Sequence, residues 1–340
     1  MKPYVKKVAI NGYGRIGQSI LRALYEDKNR HGLQVVAINS LTDIDTLAYM
    51  TRYDTTHGRF PVSVEVDGED LIVDGDKIRI SAAPTPQELN WQALDIDLLF
   101  ECSGSFKSRE SATQYLSAGP KKLLFSQPAS REMDATVVYG INQQDLKAEM
   151  TIASAASCTT NCVTPILHIL EEAWGIENGV MTTIHSSMND QPMVDSSNNQ
   201  NLRLSRSGLQ SIIPVETSLA QGIERIMPHM KGKFDCLHVR VPTMNVSALD
   251  LSLNLKQTVS VEEINATIKQ ASQSGFKGIL GYTEEPHASI DFNHDTHSCI
   301  FDATQTKVNS GRTLKLFCWF DNEWGFCNRM IDTGKAWLKV

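Results

Sequence analysis

No stretch of this 340-residue sequence approaches the ~20 uninterrupted apolar residues that a membrane-spanning helix needs. The opening residues, MKPYVKKVAINGYG, pass straight into a folded pattern and lack the apolar core of a secretion signal. Cysteine is sparse and odd in number: seven, at positions 102, 158, 162, 236, 299, 318 and 327. So few, so widely spaced, do not make a disulfide framework, and a reducing cytoplasm is the compartment that fits. Internal repeats, low-complexity tracts and a Pro/Gly-rich linker are also missing. Positive charge falls short of negative, 32 Lys and Arg against 39 Asp and Glu, a net −7. That balance weighs against nucleic acid or an anionic membrane as the main partner. An anionic substrate would therefore be drawn in by local Arg, Lys and helix N-termini.

What is present suits a soluble globular protein: 41% hydrophobic and 21% charged residues. The length predicts two domains. In the first half, short β-branched runs alternate with helical stretches. KVAI (7–10) is followed by a Gly-rich turn and the helical QSILRALYE, then by LQVVAIN (33–39) and a helix from about Asp43 to Met50. DLIVDG, KIRIS, DIDLLFECSG, KKLLFS and TVVYGIN continue the series. This order predicts an α/β fold with a mainly parallel sheet, and the lack of polar alternation in DLLFEC and KLLFS predicts cover on both faces. After about residue 150 the pattern changes. SCTTNCVTPILHILEEAWG reads as a helix, and VMTTIHSSM, DCLHVRVPTMNVSALDLSLNL and TLKLFCWFD read as longer alternating strands of an antiparallel or mixed sheet. The last stretch, WGFCNRMIDTGKAWLKV, is predicted to be helical and to pack on the first domain.

Asn11-Gly12-Tyr13-Gly14-Arg15-Ile16-Gly17 fits G-x-G-x-x-G between a strand and a helix. Glycines there permit a tight turn and close approach of backbone N–H groups to a pyrophosphate, which the helix N-terminus favours. A bare match could equally be a structural strand-to-helix turn. The context raises it, because the motif opens the first βαβ unit and the next strand ends on schedule at Ile38-Asn39. The carboxylate expected at the end of that strand, to grip a ribose 2′-OH, is replaced by Ser40, with Asp43 and Asp45 as nearby substitutes. NAD is preferred over NADP on this reading.

Ser157-Cys158-Thr159-Thr160-Asn161-Cys162 stands at a predicted helix start. The helix dipole and free N–H groups there would lower the pKa of a thiol, and the backbone N–H of Cys158 could face an oxyanion. A small buried residue at a helix cap is the plainer alternative. Cys158 and Cys162 lie one turn apart, and no matching Cys/His pair stands nearby, so no metal is expected. A nucleophilic thiol needs a base, and spacing alone does not choose among nine histidines; His185 ends the apolar strand VMTTI, where side chains commonly meet a site.

NGYGRIG, ASCTTNC, TTIHS, SIIP, VRVPT and DNEWGFCNR, in this order and spacing, closely resemble the glyceraldehyde-3-phosphate dehydrogenases over essentially the whole chain. The resemblance implies a Rossmann dinucleotide-binding domain over 1–156, completed by a C-terminal helix 323–340, and an α+β catalytic domain over 157–322. It implies NAD as cofactor, a small phosphorylated aldehyde as substrate and a homotetramer. It makes Cys158 the nucleophile and His185 its base. Asn11, Gly12, Gly14, Arg15, Ile16, Gly17, Asn39, Ser103, Ser126 and Asn322 would hold the cofactor, Asn322 at the nicotinamide carboxamide. Ser157, Thr159, Arg203, Arg206, Thr217, Ser218 and Arg240 would hold the substrate, with Arg240 and Thr217 on its phosphate.

Departures from the glycolytic pattern point to a branch of the family. The glycolytic enzymes usually carry Thr three residues after the catalytic His, where this chain has Met188; Thr-Gly after IIP becomes Thr217-Ser218; and Tyr after the DNE motif becomes Phe326. HSSMNDQ, SIIPVETSL, DFNHDTHS, FDATQT and DNEWGF look instead like the erythrose-4-phosphate dehydrogenases, the sister branch. That branch often reads D-L-R-R-T-R after the His strand, where Leu204 here replaces an Arg in NLRLSR, and an Arg usual before the L-x-W segment is missing from SAAPTPQELNW.

Overall fold

The computed structural model describes residues 5–27, 32–198 and 201–339. Two compact units make up the chain: Met1–Ser157 with Cys327–Val340, and Cys158–Phe326. Among the described residues, no helix is long and apolar enough to cross a membrane.

The first unit is built on a nine-stranded sheet. Its centre is Lys6–Asn11, flanked in parallel by Leu33–Asn39 on one side and Leu98–Glu101 on the other. Beyond these, Asp76–Ser81 pairs in parallel with Leu33–Asn39, and Leu123–Phe125, Ile152–Ser154 and Ala135–Thr136 extend the far side in parallel. The chain thus builds outward from Lys6–Asn11 in one direction and then returns to its other side. That reversal leaves a crevice at the C-terminal ends of the central strands, where α/β folds bind ligands. Val8, Ala9, Ile10, Leu98, Leu99, Phe100, Leu123, Leu124 and Phe125 are all fully buried, which is why these strands show no polar alternation. Each such aliphatic or aromatic side chain contributes on the order of 1.5–3 kcal/mol.

One expectation needs correcting. DLIVDG and KIRIS do not alternate with helices: Val64–Asp67, Asp70–Val73 and Asp76–Ser81 form an antiparallel meander at the sheet edge. Short turns at Gly68 (φ 62°) and Gly75 (φ 81°) leave no room for a crossover helix. The helix Trp324–Leu338 runs into the first unit, where Gly334 lies against Leu98 and Phe100.

The second unit has a mixed eight-stranded sheet. Ile176–His185 is its hub, pairing in parallel with Phe234–Arg240 and antiparallel with Ser247–Leu255. Ser247–Leu255 pairs antiparallel with Thr313–Phe320, and Ile213–Val215 flanks Phe234–Arg240. The run DCLHVRVPTMNVSALDLSLNL is therefore two strands on opposite sides of the hub. Pro242 cannot donate to a ladder, and Val246 stands at φ 65°, so the backbone breaks between them. Helix Cys158–Trp174 supplies buried Cys162, Val163, Ile166, Leu167 and Leu170 to the core of this unit.

Candidate active site

Two chain features set the nucleophile. The backbone approaches it through Ala156, held at φ 59°, and the helix begins at Cys158 itself. Cys158 is half-buried and its Sγ lies 3.7 Å from Nε2 of His185, the last residue of the hub strand. Thr159, buried, places its hydroxyl 4.0 Å from the same sulfur, and Ser157 precedes it half-buried. Nδ1 of His185 is 2.8 Å from the Ser186 carbonyl oxygen, a contact that requires the proton on Nδ1. Nε2 is then a bare lone pair facing the thiol, the tautomer a general base requires.

The electrostatics differ from the sequence-based expectation. Burial pushes the Cys158 thiol up to about 11, outweighing the Thr159 hydroxyl and the backbone N–H groups of Thr159 and Cys158, which favour the thiolate. Burial likewise holds the His185 imidazole down at about 4, against the Ser186 carbonyl, and Arg240 pushes it further down. The donors at the helix start favour the thiolate, and burial opposes them. Burial thus disfavours the charged form of both groups, the thiolate of Cys158 and the imidazolium of His185.

Around the pair, Asn322 is held by its carbonyl end: Oδ1 accepts from Ser186 Oγ (3.0 Å) and Ser247 Oγ (2.8 Å). Its amide NH2 is thereby set as the donor. Arg240 is 9% exposed, donates from Nη1 to Asp190 Oδ1 at 2.5 Å and leaves Nε buried without a partner. Asp190 belongs to the loop that carries Met188, which is 45% exposed and whose N–H donates to Gln191 Oε1 at 2.9 Å. Thr217 is half-buried and accepts from the Leu219 N–H at 3.2 Å; Ser218 is exposed at the start of Leu219–Ile226. Arg203 and Arg206 are exposed, with Arg206 paired to Asp195 at 2.8 Å, and neither bonds to the Cys158–His185 pair.

In the first unit the glycine turn has the shape that a dinucleotide needs. Gly12 stands at φ 87°, and a Cβ there would strike the Ser103 backbone; one on Gly17 would strike the Gly12 carbonyl oxygen. Gly14 caps the helix Arg15–Glu26 with no side-chain bond, and nothing lies within 4 Å of where its Cβ would stand, so a phosphate can approach the helix N-terminus closely. The Ile16 carbonyl accepts from the Cys327 thiol at 3.5 Å. Arg15, expected to help hold the cofactor, is ion-paired with Asp54. Burial pushes that carboxyl up, but Arg15 and the N–H groups of His57 and Thr56 prevail and hold it at about 2.

Beneath the turn lies a network that sequence reasoning missed. Glu101, fully buried, accepts from Asn11 Nδ2 at 2.5 Å and from both the N–H (2.8 Å) and the hydroxyl (2.5 Å) of Ser103. Asn39 Nδ2 donates to Asn11 Oδ1 at 2.8 Å, and Asn39 Oδ1 accepts from the Ala83 N–H at 2.9 Å. The Ser126 N–H donates to the Glu101 carbonyl at 2.9 Å. A lone carboxylate at the end of an apolar strand gave no signal of this. At the predicted ribose position, Ser40 Oγ accepts from the Thr42 N–H at 3.3 Å, and Asp43 caps the helix Ile44–Arg52 by accepting from Thr46 N–H at 2.9 Å. Asp43 is thus committed to a helix start, and Asp45 lies exposed on the first turn.

Two family models match this architecture. Residues 6–109 match the glyceraldehyde 3-phosphate dehydrogenase NAD binding domain, and residues 157–322 match the glyceraldehyde 3-phosphate dehydrogenase C-terminal domain. NAD is the cofactor of the first, and the open glycine cradle fits it. With the thiol–imidazole pair inside the second match and the cradle inside the first, the chain belongs to the glyceraldehyde 3-phosphate dehydrogenase family of NAD-dependent oxidoreductases.

Proposed function

We propose that this dehydrogenase oxidises D-erythrose 4-phosphate to 4-phosphoerythronate through a Cys158 thioester that water hydrolyses, a step toward pyridoxal phosphate. The observation that carries the reading is Met188 in the loop beside Arg240, where the glycolytic branch usually places a phosphate-contacting Thr. A thioether in place of a hydroxyl removes a donor to a charged group, worth ~1–3 kcal/mol. That is enough to move preference between aldehydes while leaving catalysis intact.

In this reading Cys158 Sγ attacks the aldehyde carbon as His185 Nε2 takes the thiol proton and returns it to the new alkoxide oxygen, giving a hemithioacetal. NAD, when bound, accepts the hydride from that carbon. His185 takes the hydroxyl proton, and the carbon becomes a thioester on Cys158. Water then adds, the C–S bond breaks, the thiol regains its proton and the acid leaves. The carboxamide of the nicotinamide falls to the Asn322 NH2, and the substrate phosphate to Arg240 and Thr217, with Ser157, Thr159, Arg203, Arg206 and Ser218 completing the substrate site.

The second reading is a phosphorylating glyceraldehyde-3-phosphate dehydrogenase, favoured by the retained Arg240 and Thr217. NADH formation with each aldehyde, with and without inorganic phosphate, separates the two. The first reading expects higher kcat/KM on the four-carbon sugar, little acceleration by phosphate and accumulation of the acid. A site set for the longer substrate leaves the shorter aldehyde short of the sulfur, and small misplacements slow reaction heavily. Better turnover of glyceraldehyde 3-phosphate with strict phosphate dependence would sink it.

A homotetramer in the cytoplasm completes the proposal. Its support is the sheet face opposite buried Met181 and Leu251, which leaves Val180 58% and Leu237 50% exposed. Light scattering of the purified protein tests the subunit count.

A further inference from the structure

Behind the catalytic histidine stands a second one. Strands Ile176–His185 and Phe234–Arg240 run parallel, with His185 opposite Arg240 and Thr183 opposite His238. Residues two apart share a strand face, so His238 lies diagonally beside His185 on the same face of the sheet. The two rings stack with centroids 5.1 Å apart and planes 24° apart. Phe320, from Thr313–Phe320, meets His185 at 6.2 Å and 71°. The His185 ring is thus held between a flat neighbour and an edge.

A purely packing role would be served as well by an apolar side chain. His238 instead carries a buried Nε2 without a hydrogen-bond partner, and Thr183, directly across the strand pair, has a buried Oγ1 in the same condition. Two unmatched polar atoms in the layer next to a general base are unusual in a fold that satisfies most of its buried groups.

We propose that His238 is a positioning residue for the Cys158–His185 chemistry: its ring holds the His185 plane so that Nε2 stays aimed at the sulfur, and offers its face to the imidazolium that forms when His185 takes a proton. The inference rests on the covalent reading above. A stacked aromatic face stabilises a cation over it, whereas the His238 nitrogens, in the ring plane, cannot take the His185 proton across the stack. The charged groups acting on His185 are Arg240 from the neighbouring strand, Asp190 from the loop after its own strand, and Glu323. Burial holds His238 itself neutral, at about 3, with His185 and Arg240 pushing the same way. His238 therefore acts through shape and π density and not through charge.

The experiment compares His238→Ala, His238→Leu and His238→Phe with His185→Asn, reading kcat and KM for the aldehyde, the pH profile of kcat/KM, and the rate of Cys158 alkylation by iodoacetamide; thermal melts report folding. His238→Ala and His238→Leu should lower kcat by roughly 10- to 100-fold, the size of a misplaced catalytic group, with KM little changed. His238→Ala, by admitting water, should move the acid limb of kcat/KM upward toward the ordinary histidine value of about 6.5. His238→Phe, which keeps the flat face, should recover most of the kcat and the limb. Wild-type kcat and pH profile in His238→Ala, alongside an inactive His185→Asn, would overturn the positioning role and leave the covalent reading standing. Failure of folded His238→Phe to recover any loss would overturn it too. An active His185→Asn would remove His185 as the base, and the positioning role with it, while an active Cys158→Ala would fail the covalent reading itself.

Discussion

The Nδ2 amide of Asn11 sits 2.5 Å from the buried Oε2 of Glu101, and through this bond one carboxylate fastens the turn that carries the glycine motif. Its other oxygen takes two bonds from Ser103, and Asn11 passes the restraint on to Asn39. Three parallel strand ends are tied at one buried group. Burial raises the Glu101 pKa, and the bonds from Ser103 and Asn11 oppose the rise. Glu101→Gln would turn an amide NH2 toward donors, so NAD should bind roughly 10- to 100-fold more weakly, the loss expected for ~1–3 kcal/mol of unmatched buried groups. Calorimetric titration with NAD checks this, and unchanged affinity would remove Glu101 from the cofactor site.

Cys158→Ala should abolish turnover and leave NAD affinity intact, since in the proposed mechanism the thiol does chemistry and not cofactor recognition. Steady-state rates together with NAD titration decide it. Residual activity above about a thousandth of wild type would remove covalent catalysis.

His185→Asn should slow alkylation of Cys158 at neutral pH, because burial pushes the thiol up and the proposed base, His185 Nε2, lies 3.7 Å away. The pH dependence of iodoacetamide modification is the readout. An alkylation profile identical to wild type would mean that the helix start alone activates the sulfur.

Acid should destabilise the second unit before the carboxylates titrate. His185 is held at about 4 in the fold against 6.5 ordinarily. Between those values the unfolded chain binds the proton and the folded one does not, so stability is complete above pH 6.5 and falls as pH drops toward 4. The loss is on the order of 3 kcal/mol for this group. Urea midpoints at pH 7.5, 6 and 5 should decline in that order for wild type and decline less for His185→Asn.

Met188→Thr should restore the missing hydroxyl near Arg240. The expected result is a roughly tenfold or greater rise in kcat/KM for glyceraldehyde 3-phosphate relative to erythrose 4-phosphate. An unaltered ratio would place substrate discrimination elsewhere.

Features set by neighbours in the chain were legible before any coordinates. The strand–glycine–helix opening, the helix beginning at Cys158 and the strand ending at His185 all depend on local spacing. Features set by pairing across the chain were not. The Val64–Ser81 meander and the break at Pro242–Val246 depend on turn geometry and an unusual backbone angle. Glu101 and His238 gain their surroundings from strands distant in sequence, so neither stands out in its own segment. The dipole argument for Cys158 named the right donors and omitted the desolvation that outweighs them.

The interruption of the first unit by the whole of the second has a consequence for synthesis. Residues up to Ser157 leave the ribosome long before Cys327, yet Gly334 belongs against Leu98 and Phe100, and Trp337 donates to the Lys147 carbonyl at 3.1 Å. At ~5–20 residues per second, the nascent nucleotide-binding unit waits on the order of ten seconds or more for its last helix. Over that interval, while the intervening unit is still being made, its sheet has a bare apolar flank. Pulse-labelled ribosome-bound chains should therefore become protease-resistant in the middle first and at the N-terminus last.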